Sequence, residues 1–162
     1  MIAPGLVTSL DAFLTATRAG LILRAGLAGV SVFSGPILDE KELGSEYILL
    51  GGTTSEAFAV VLANEYTTGM IEVLANESYD VPCELMGVAV GTGESGIVAA
   101  RQRGLVLLNE VHEWLKANDT ASATVQDCRI TRYKATQLIL DEATRCLKVE
   151  FTVSVYAQFL PA

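Results

Sequence analysis

The stretch Val88–Gly104, VAVGTGESGIVAARQRG, places three glycines in the order Gly91-x-Gly93-x-x-Gly96 between an apolar run and a predicted helix. This spacing is typical of turns that bind the pyrophosphate of a dinucleotide at a helix N-terminus. Such a site also needs a parallel strand after the helix, ending in an acid that binds the ribose. Here a predicted antiparallel hairpin follows, and Glu94 adds a negative charge to the loop. The pattern therefore favours a strand-to-helix corner without a cofactor.

Residues that could catalyse a reaction are few elsewhere in the chain. The single histidine, His112, begins HEWLK, in which Lys116 stands where a zinc-binding HExxH motif has its second histidine. A nucleophilic serine or cysteine could use only His112 as its base. Neither a GxSxG sequence nor a phosphate-binding Walker loop is present. We therefore predict a packed or boundary position for His112, no metal, no cofactor and no enzymatic activity.

Acidic residues cluster in two places. Asp39, Glu40, Glu42 and Glu46 lie within one polar stretch, and Asp141–Glu142 lies in a predicted hairpin turn. Paired carboxylates can hydrolyse glycosides or bind hard cations. Because carboxylates are mostly exposed in folded proteins, we interpret both clusters as solvated loops.

The three cysteines, Cys83, Cys128 and Cys146, are odd in number and form no CxxC pair. A hairpin turning at Asp141–Thr144 would place Cys128 opposite about Ala157, on the order of 35 Å from Cys146 at the usual strand rise. That separation argues against a disulfide between them. We predict three reduced, buried thiols.

The totals of the chain restrict its class. It has 162 residues and a formal net charge of −8, and 51% of its residues are hydrophobic. These values predict a single globular domain over residues 1–162. The negative charge argues against tight nucleic-acid binding, because phosphates are repelled. Asp11, Arg18 and Arg24 interrupt the apolar N-terminus, which therefore fits neither a membrane span nor a signal peptide.

Apolar periodicity predicts the elements that precede the glycine corner. Apolar residues from Leu6 to Leu21 recur at helical spacing, and this helix ends near Ala25–Gly26. The last two of the strands that follow flank a polar turn, NESYDVP. The predicted strands are Val30–Pro36, Tyr47–Gly52, Thr67–Ala75 and Cys83–Gly91.

A long helix and a long hairpin make up the second half. The helix is predicted from Ser95 to about Ala117. The hairpin pairs Arg129–Leu140 with Arg145–Phe159, and apolar and polar residues alternate strictly in its second strand. The predicted buried face of the helix consists of Ile97, Ala100, Gly104, Leu108, Val111 and Leu115.

These elements predict an α+β fold, a mostly antiparallel sheet with two main helices packed on one face and a long C-terminal β-hairpin. A hairpin of this length cannot be wholly internal in a small domain, so it leaves a sheet edge unpaired. Because exposed edges pair with other chains, this fold favours self-assembly over catalysis.

Three segments carry a resemblance to a known family. They are VSVFSGP at Val30–Pro36, YILLG at Tyr47–Gly51, and the strand pair YKATQLILDEATRCLKVEFTVSVYA. Together with the order of helices, they resemble the tail terminator proteins of long-tailed bacteriophages over nearly the whole chain. The segment 53–66, TTSEAFAVVLANEY, is more apolar than that pattern. The connection between the second and third strands is therefore left open.

The resemblance implies a virion protein, assembled in the host cytoplasm, that forms a homohexameric ring at the head-proximal end of the tail. Its expected partners are further copies of itself, the tail tube protein and the head–tail connector. DNA would pass through the ring without specific binding, and no membrane is involved. Acidic loops facing the lumen would repel phosphates. The candidate residues are Asp39, Glu40, Glu42, Glu77 and Asp80.

Two other functions are left open by the sequence. A head-completion (neck) protein or a tail tube subunit would have a related α+β layout. A module that binds a small molecule or nucleotide would use the turn Gly91–Gly96. Neither the long helix nor the terminal hairpin separates the first of these from a tail terminator.

Overall fold

Two helices pack on one face of the sheet, as the sequence predicts, and the described part of this sheet has five strands. The computed structural model describes residues 9–35, 45–54, 75–118 and 125–159. The start of the predicted first helix, residues 55–66 of the open segment and all of the predicted strand Thr67–Ala75 except its last residue lie outside these ranges.

The sheet has the order β1-β2-β3-β5-β4. Among the described strands, β1 and β2 pair in parallel and the other three pairings are antiparallel, which confirms a mostly antiparallel sheet. A short 3₁₀ turn at Ala25–Leu27 follows the first helix. The elements are α1 (Leu10–Ile22), β1 (Ser31–Ser34), β2 (Tyr47–Leu50), β3 (Ala75–Val90), α2 (Gly93–Ala117), β4 (Val125–Ile139) and β5 (Thr144–Phe159).

The third strand runs unbroken from Ala75 to Val90, so the predicted polar turn NESYDVP is wrong. Tyr79 and Val81 are buried while Asp80 between them is exposed, which is the alternation of a strand. Every residue of β3 pairs with β5, and this long ladder outweighs the local turn preference of Asn, Asp and Pro. Pro82 is tolerated just beyond the point where β2 ends.

The long helix is confirmed, with its buried face turned slightly from the predicted one. Ile97 is 37% exposed and Leu108 is half-buried, whereas Leu107 is fully buried. The buried stripe instead begins at Gly96, because a glycine there packs closely against the preceding turn. The buried residues are Gly96, Ala100, Gly104, Leu107, Val111 and Leu115.

Two glycines allow α2 to approach the sheet. A Cβ added at Gly87 would lie 2.5 Å from the backbone nitrogen of Gly104 and 2.7 Å from its Cα. A Cβ at Gly104 would lie 2.6 Å from Cδ2 and 2.7 Å from Cβ of Leu147. Because neither glycine has a side chain, the backbone of α2 lies directly against the sheet here. The apolar core packs on both sides of the contact.

Glu46 joins α2 to the sheet, and its predicted position in a solvated loop is wrong. Its carboxylate accepts hydrogen bonds from Arg103 Nε at 2.9 Å and Nη2 at 3.0 Å, and from the backbone N–H of Val88 at 3.0 Å. The hydrogen bond to Glu46 raises the pKa of Arg103. The Glu46 side chain is only 17% exposed, so the pair is partly shielded from water.

Replacing Arg103 with methionine is expected to lower the free energy of unfolding by about 1–2 kcal/mol, because Glu46 loses its charge-assisted donors while remaining largely buried. Urea unfolding followed by circular dichroism measures the change. Arg101→Met on the exposed face of the same helix is the control, with an expected change within about 0.5 kcal/mol. Equal midpoints for both variants would contradict a stabilising role for the pair.

The C-terminal hairpin is confirmed, with β4 and β5 joined at the predicted turn, where Leu140 N–H donates to Thr144 O at 3.1 Å. The register is shifted twice in β4, so Cys128 lies opposite Val155 instead of Ala157. Such bulges insert an extra residue on one strand and increase its twist. The three cysteines are free and buried, as predicted. Burial raises the pKa of the Cys83 thiol to about 12.

The sheet face opposite the helices carries a buried carboxylate. Glu84 is fully buried and accepts hydrogen bonds from Tyr47 Oη at 2.7 Å and from Thr54 Oγ1 at 3.0 Å. Lys148 Nζ lies 3.2 Å from the same carboxylate. Burial, together with the hydrogen bond to Glu84, raises the pKa of Tyr47, so its hydroxyl stays a donor. A small apolar cluster of Tyr47, Leu49, Phe33 and Met86 lies on this face.

Candidate functional site

The outer edge of β4 is the longest open feature of the described structure. Residues 131–139 of β4 are all exposed, and within the described ranges no strand lies beyond it. Its last residues alternate neither in burial nor in polarity, unlike those of β5. An exposed edge of this length presents unpaired N–H and C=O groups to another chain.

The opposite edge of the sheet is blunted by comparison. The edge strand β1 is only four residues long. Arg18 Nε donates a hydrogen bond to the carbonyl oxygen of Val32 at 3.0 Å and so occupies an acceptor of that strand. Short strands and charged side chains on an edge discourage strand addition. The two edges therefore differ, and β4 is the one open to pairing.

A groove of about 590 Å³ lies between α2 and the middle of β4. We call it the α2–β4 groove. Its apolar wall includes Leu105, 41% exposed, and Tyr133, 60% exposed. His112, predicted as a packed or boundary residue, is exposed at this groove. The lining residues are Leu105, Leu108, Asn109, His112, Ile130, Thr131, Arg132 and Tyr133.

The far end of the hairpin forms an exposed apolar tip. Val90 is 83% exposed, Ile139 71% and Leu140 49%. The turn beyond them carries the acids Asp141 and Glu142, both exposed. These five residues, from the ends of β3 and β4 and the hairpin turn, are called the arm tip. Val90 and Ile139 lie at one end of the sheet on opposite faces, because their β5 partners Thr144 and Arg145 are consecutive residues. Exposed apolar side chains at such an end, next to charged residues, are typical of a contact surface.

The turn at the arm tip is held by hydrogen bonds. Asp141 Oδ1 accepts the backbone N–H of Ala143 at 2.8 Å, and this bond lowers the pKa of Asp141. Arg145 Nη1 donates to the carbonyl of Asp141 at 2.8 Å. Gly91 N–H donates to the carbonyl of Ala143 at 2.7 Å, which ties the end of β3 to the turn. The tip is therefore ordered before any partner binds.

The glycine corner packs against itself. A Cβ at Gly96 would lie 2.5 Å from the carbonyl oxygen of Gly91. Gly93 has φ +69°, a left-handed conformation that favours glycine. Thr92 is the N-cap of α2, and Glu94 lies in its first turn, where an acid is favoured by the helix dipole. The spacing of the three glycines is explained by this turn.

The predicted lumen-facing acids have different outcomes. Glu77 is fully buried and accepts the backbone N–H of Ser9 at 2.8 Å, so its predicted exposure is wrong. Its strand position faces the helices, where Ser9 Oγ and Tyr79 Oη also form a hydrogen bond of 2.8 Å. Asp80 is exposed on the other face and accepts Ser154 Oγ at 2.6 Å.

Asp39, Glu40 and Glu42 lie outside the described residues. Among the residues that the structure describes, no group of three or more His, Cys, Asp or Glu side chains could hold a metal ion. Neither described helix has the length and hydropathy needed to cross a lipid bilayer.

Sequence reasoning missed the residues that dominate the exposed surface. The open strand carries Arg129, Arg132 and Lys134, a basic row on an acidic chain, and the arm tip carries three apolar side chains. The available signal was the sequence TRYKATQLIL, in which apolar and charged residues do not alternate as they do in β5. A strand without that alternation buries neither face fully.

Comparison with known proteins adds a structural similarity. No protein-family model and no curated protein matches this chain. A chain in the solved structure of the virion of a native gene transfer agent (GTA) particle is similar to it, with a TM-score of 0.55 and 15% sequence identity. The similarity covers 94% of this chain and 100% of that one. At this identity the match shows a shared fold.

Proposed function

We propose that this chain is a structural protein of a phage-like virion, which caps the tail tube as an oligomeric ring and joins it to the head connector. The observation that carries the proposal is the long open edge of β4, on a fold shared with a chain of a gene transfer agent virion. The resemblance of three sequence segments to tail terminators supports the specific place in the tail. The proposal includes no catalytic step and no cofactor.

A closed ring requires each subunit to present two different complementary surfaces. The chain offers an open edge at β4 and a blunted one at β1, so its two sheet margins cannot make the same contact. Contacts between unlike surfaces repeat, into a ring when the rotation closes and into a filament when it does not, whereas contacts between like surfaces stop at a dimer. The asymmetry of the sheet is compatible with a ring, and the family resemblance suggests six subunits.

The charge of the chain suits a channel through which DNA passes. With a net charge of −8, the surface as a whole repels phosphates and does not retain DNA. Asp80 remains a candidate for the lumen because it is exposed on the sheet face opposite the helices. We keep Asp39, Glu40 and Glu42 as candidates and withdraw Glu77, which is buried.

Deletion of the gene for this chain is expected to leave heads and tails unjoined, because the tail tube would lack the surface that binds the connector. Negative-stain electron microscopy of particles from a deletion strain measures the fraction of joined particles, with the wild-type gene supplied in trans as the control. Immunogold labelling of complete particles should place the chain at the head-proximal end of the tail. Label along the whole shaft would indicate a tube subunit instead, and label at the head vertex alone a head-completion protein.

A further inference from the structure

Two exposed surfaces of the chain complement each other and are not used within one subunit. The first is the arm tip, which ends in apolar side chains and acids. The second is the α2–β4 groove, whose apolar wall is bordered by Arg132. We propose that the arm tip of one copy inserts into the α2–β4 groove of the next copy. This inference rests on the proposed ring and names the contact that builds it.

Apolar complementarity is the first argument. The arm tip presents Val90, Ile139 and Leu140, three side chains that are 83%, 71% and 49% exposed. The groove, about 590 Å³ in volume, offers Leu105 and Tyr133 as a matching surface. Inserting the tip would remove apolar surface on both sides from water, which is the main driving force of protein association. Large aliphatic and aromatic groups in a pocket are typical anchors of such interfaces.

Charge complementarity is the second argument. The tip carries the exposed acids Asp141 and Glu142 beside Arg145, and Arg132 is the charged residue that lines the groove. The acids of the tip attract this arginine, whereas two grooves repel each other. The same charges therefore favour a tip-to-groove contact over a symmetric one.

Geometry is the third argument for a second copy as the occupant. Groove and tip lie on the same strand, near Thr131 and Ile139 respectively, roughly 25 Å apart at the usual strand rise. Because β4 is paired with β5 over this whole length, the tip cannot fold back into its own groove. Tip and groove are different surfaces of one subunit, so the contact repeats in one direction, as the contact of a ring must.

The test uses one substitution on each surface. Ile139→Glu places a charge in the tip, and Leu105→Glu places one in the groove wall. Both positions are exposed, so circular dichroism and thermal melting should match the parent. Each variant is expected to raise the dissociation constant of self-association by about 30-fold or more. Leu23→Glu, at an 85% exposed position of the α1 end, is the matched control and should keep the parent's mass.

Mixing the two variants gives the decisive result. The tip variant still has an intact groove, and the groove variant still has an intact tip, so exactly one contact remains possible between them. Light scattering after size exclusion should show a heterodimer and nothing larger. Charge reversal tests the same contact independently. Arg132→Glu and Glu142→Arg should each weaken assembly, and both in one chain should restore it.

The contact is overturned if either apolar variant keeps the parent's oligomeric mass, if the mixture gives no heterodimer, or if the parent chain is monomeric throughout. These outcomes are distinct from failure of the proposed function. Variants that keep the ring and still restore joined particles to the deletion strain would leave the function standing and this contact wrong. If the parent assembles through tip and groove but immunogold labelling places it elsewhere in the particle, the contact stands and the proposed function is wrong.

Discussion

Replacement of Gly87 with valine is expected to lower the free energy of unfolding by about 3 kcal/mol or more, one of the largest effects of any single substitution in the chain. The reason is that the neighbours of an added Cβ are backbone atoms. It would lie 2.5 Å from the nitrogen of Gly104 and 3.0 Å from the carbonyl carbon of Arg103. Backbone of a 25-residue helix cannot move aside as a flexible side chain can, so α2 as a whole must lift from the sheet.

Urea unfolding measures this effect, and Ser78→Val is its control. Ser78 lies on the same strand at an exposed position, so valine there tests the β-propensity of the residue without the clash. Its expected change is within about 0.5 kcal/mol. If Gly87→Val unfolds at the parent's urea concentration, the close contact between β3 and α2 is not present in solution.

Substitution on the helix side of the same contact, Gly104→Ala, separates the backbone clash from the general effect of replacing a glycine. Its Cβ would meet the side chain of Leu147, at 2.6 Å from Cδ2. Leu147→Ala in the Gly104→Ala background removes the contacts at Cδ2 and Cγ and leaves the one at Cβ, 2.7 Å away, so it relieves part of the overlap and leaves part of a cavity. The same second substitution leaves the backbone clash of Gly87→Val in place. The two glycines therefore respond differently to one repacking variant.

The parts of the fold with long, regular patterns could be predicted from the sequence. α2 and the hairpin of β4 and β5 repeat their apolar periods over many residues, and each such repeat constrains the next. The phase of α2 could not be predicted as well. Leu107 and Leu108 are adjacent and equally apolar, and the close approach of Gly104 to Gly87 fits the rotation of the helix that buries Leu107.

The unbroken β3 strand was hidden by the composition of its middle. Asn76, Asp80 and Pro82 are turn formers, and no local pattern outweighs three of them. The pairing partner that does so, β5, lies far along the chain. For the same reason the burial of Glu77 was not predictable, because its partner Ser9 belongs to the start of α1. From the sequence alone, an acid whose hydrogen-bond donor lies far along the chain cannot be distinguished from an acid on the surface.

The existence of an open sheet edge could be predicted from the sequence, and its location could not. A terminal hairpin too long for a small domain implies an open edge, and β4 provides it. The sequence could not assign the edge to β4, because the alternation of β5 and the lack of alternation in β4 acquire meaning only once the strand order is known. The arm tip likewise combines Val90 with Ile139, which the chain separates widely and the sheet brings to one end.

Glu84 leads to the second prediction of large effect. Its carboxylate is fully buried and is bound by Lys148 Nζ at 3.2 Å, by Tyr47 Oη at 2.7 Å and by Thr54 Oγ1 at 3.0 Å. Removing the only cation among these donors leaves a buried negative charge held by neutral groups. Breaking a buried ion pair from one side costs far more than the pair itself contributes.

Replacement of Lys148 with methionine is therefore expected to lower the free energy of unfolding by about 3 kcal/mol. Methionine keeps the apolar stem and removes the charge, so the change is electrostatic more than steric. Lys134→Met is the matched control, because this lysine lies exposed on the edge strand, and its expected change is within about 0.5 kcal/mol. Urea unfolding at neutral pH gives both values.

The double variant Glu84→Gln with Lys148→Met decides the cause. The amide oxygen of glutamine can accept from Thr54, while the NH2 group in place of the other carboxylate oxygen can donate to the Tyr47 hydroxyl, and the side chain carries no charge to leave unpaired. It should recover on the order of 1–3 kcal/mol relative to Lys148→Met alone, the size of coupling typical of a shared polar network. If single and double variants instead unfold at the same urea concentration, the hydroxyl donors of Tyr47 and Thr54 already satisfy Glu84. The lysine would then contribute little more than a surface charge does.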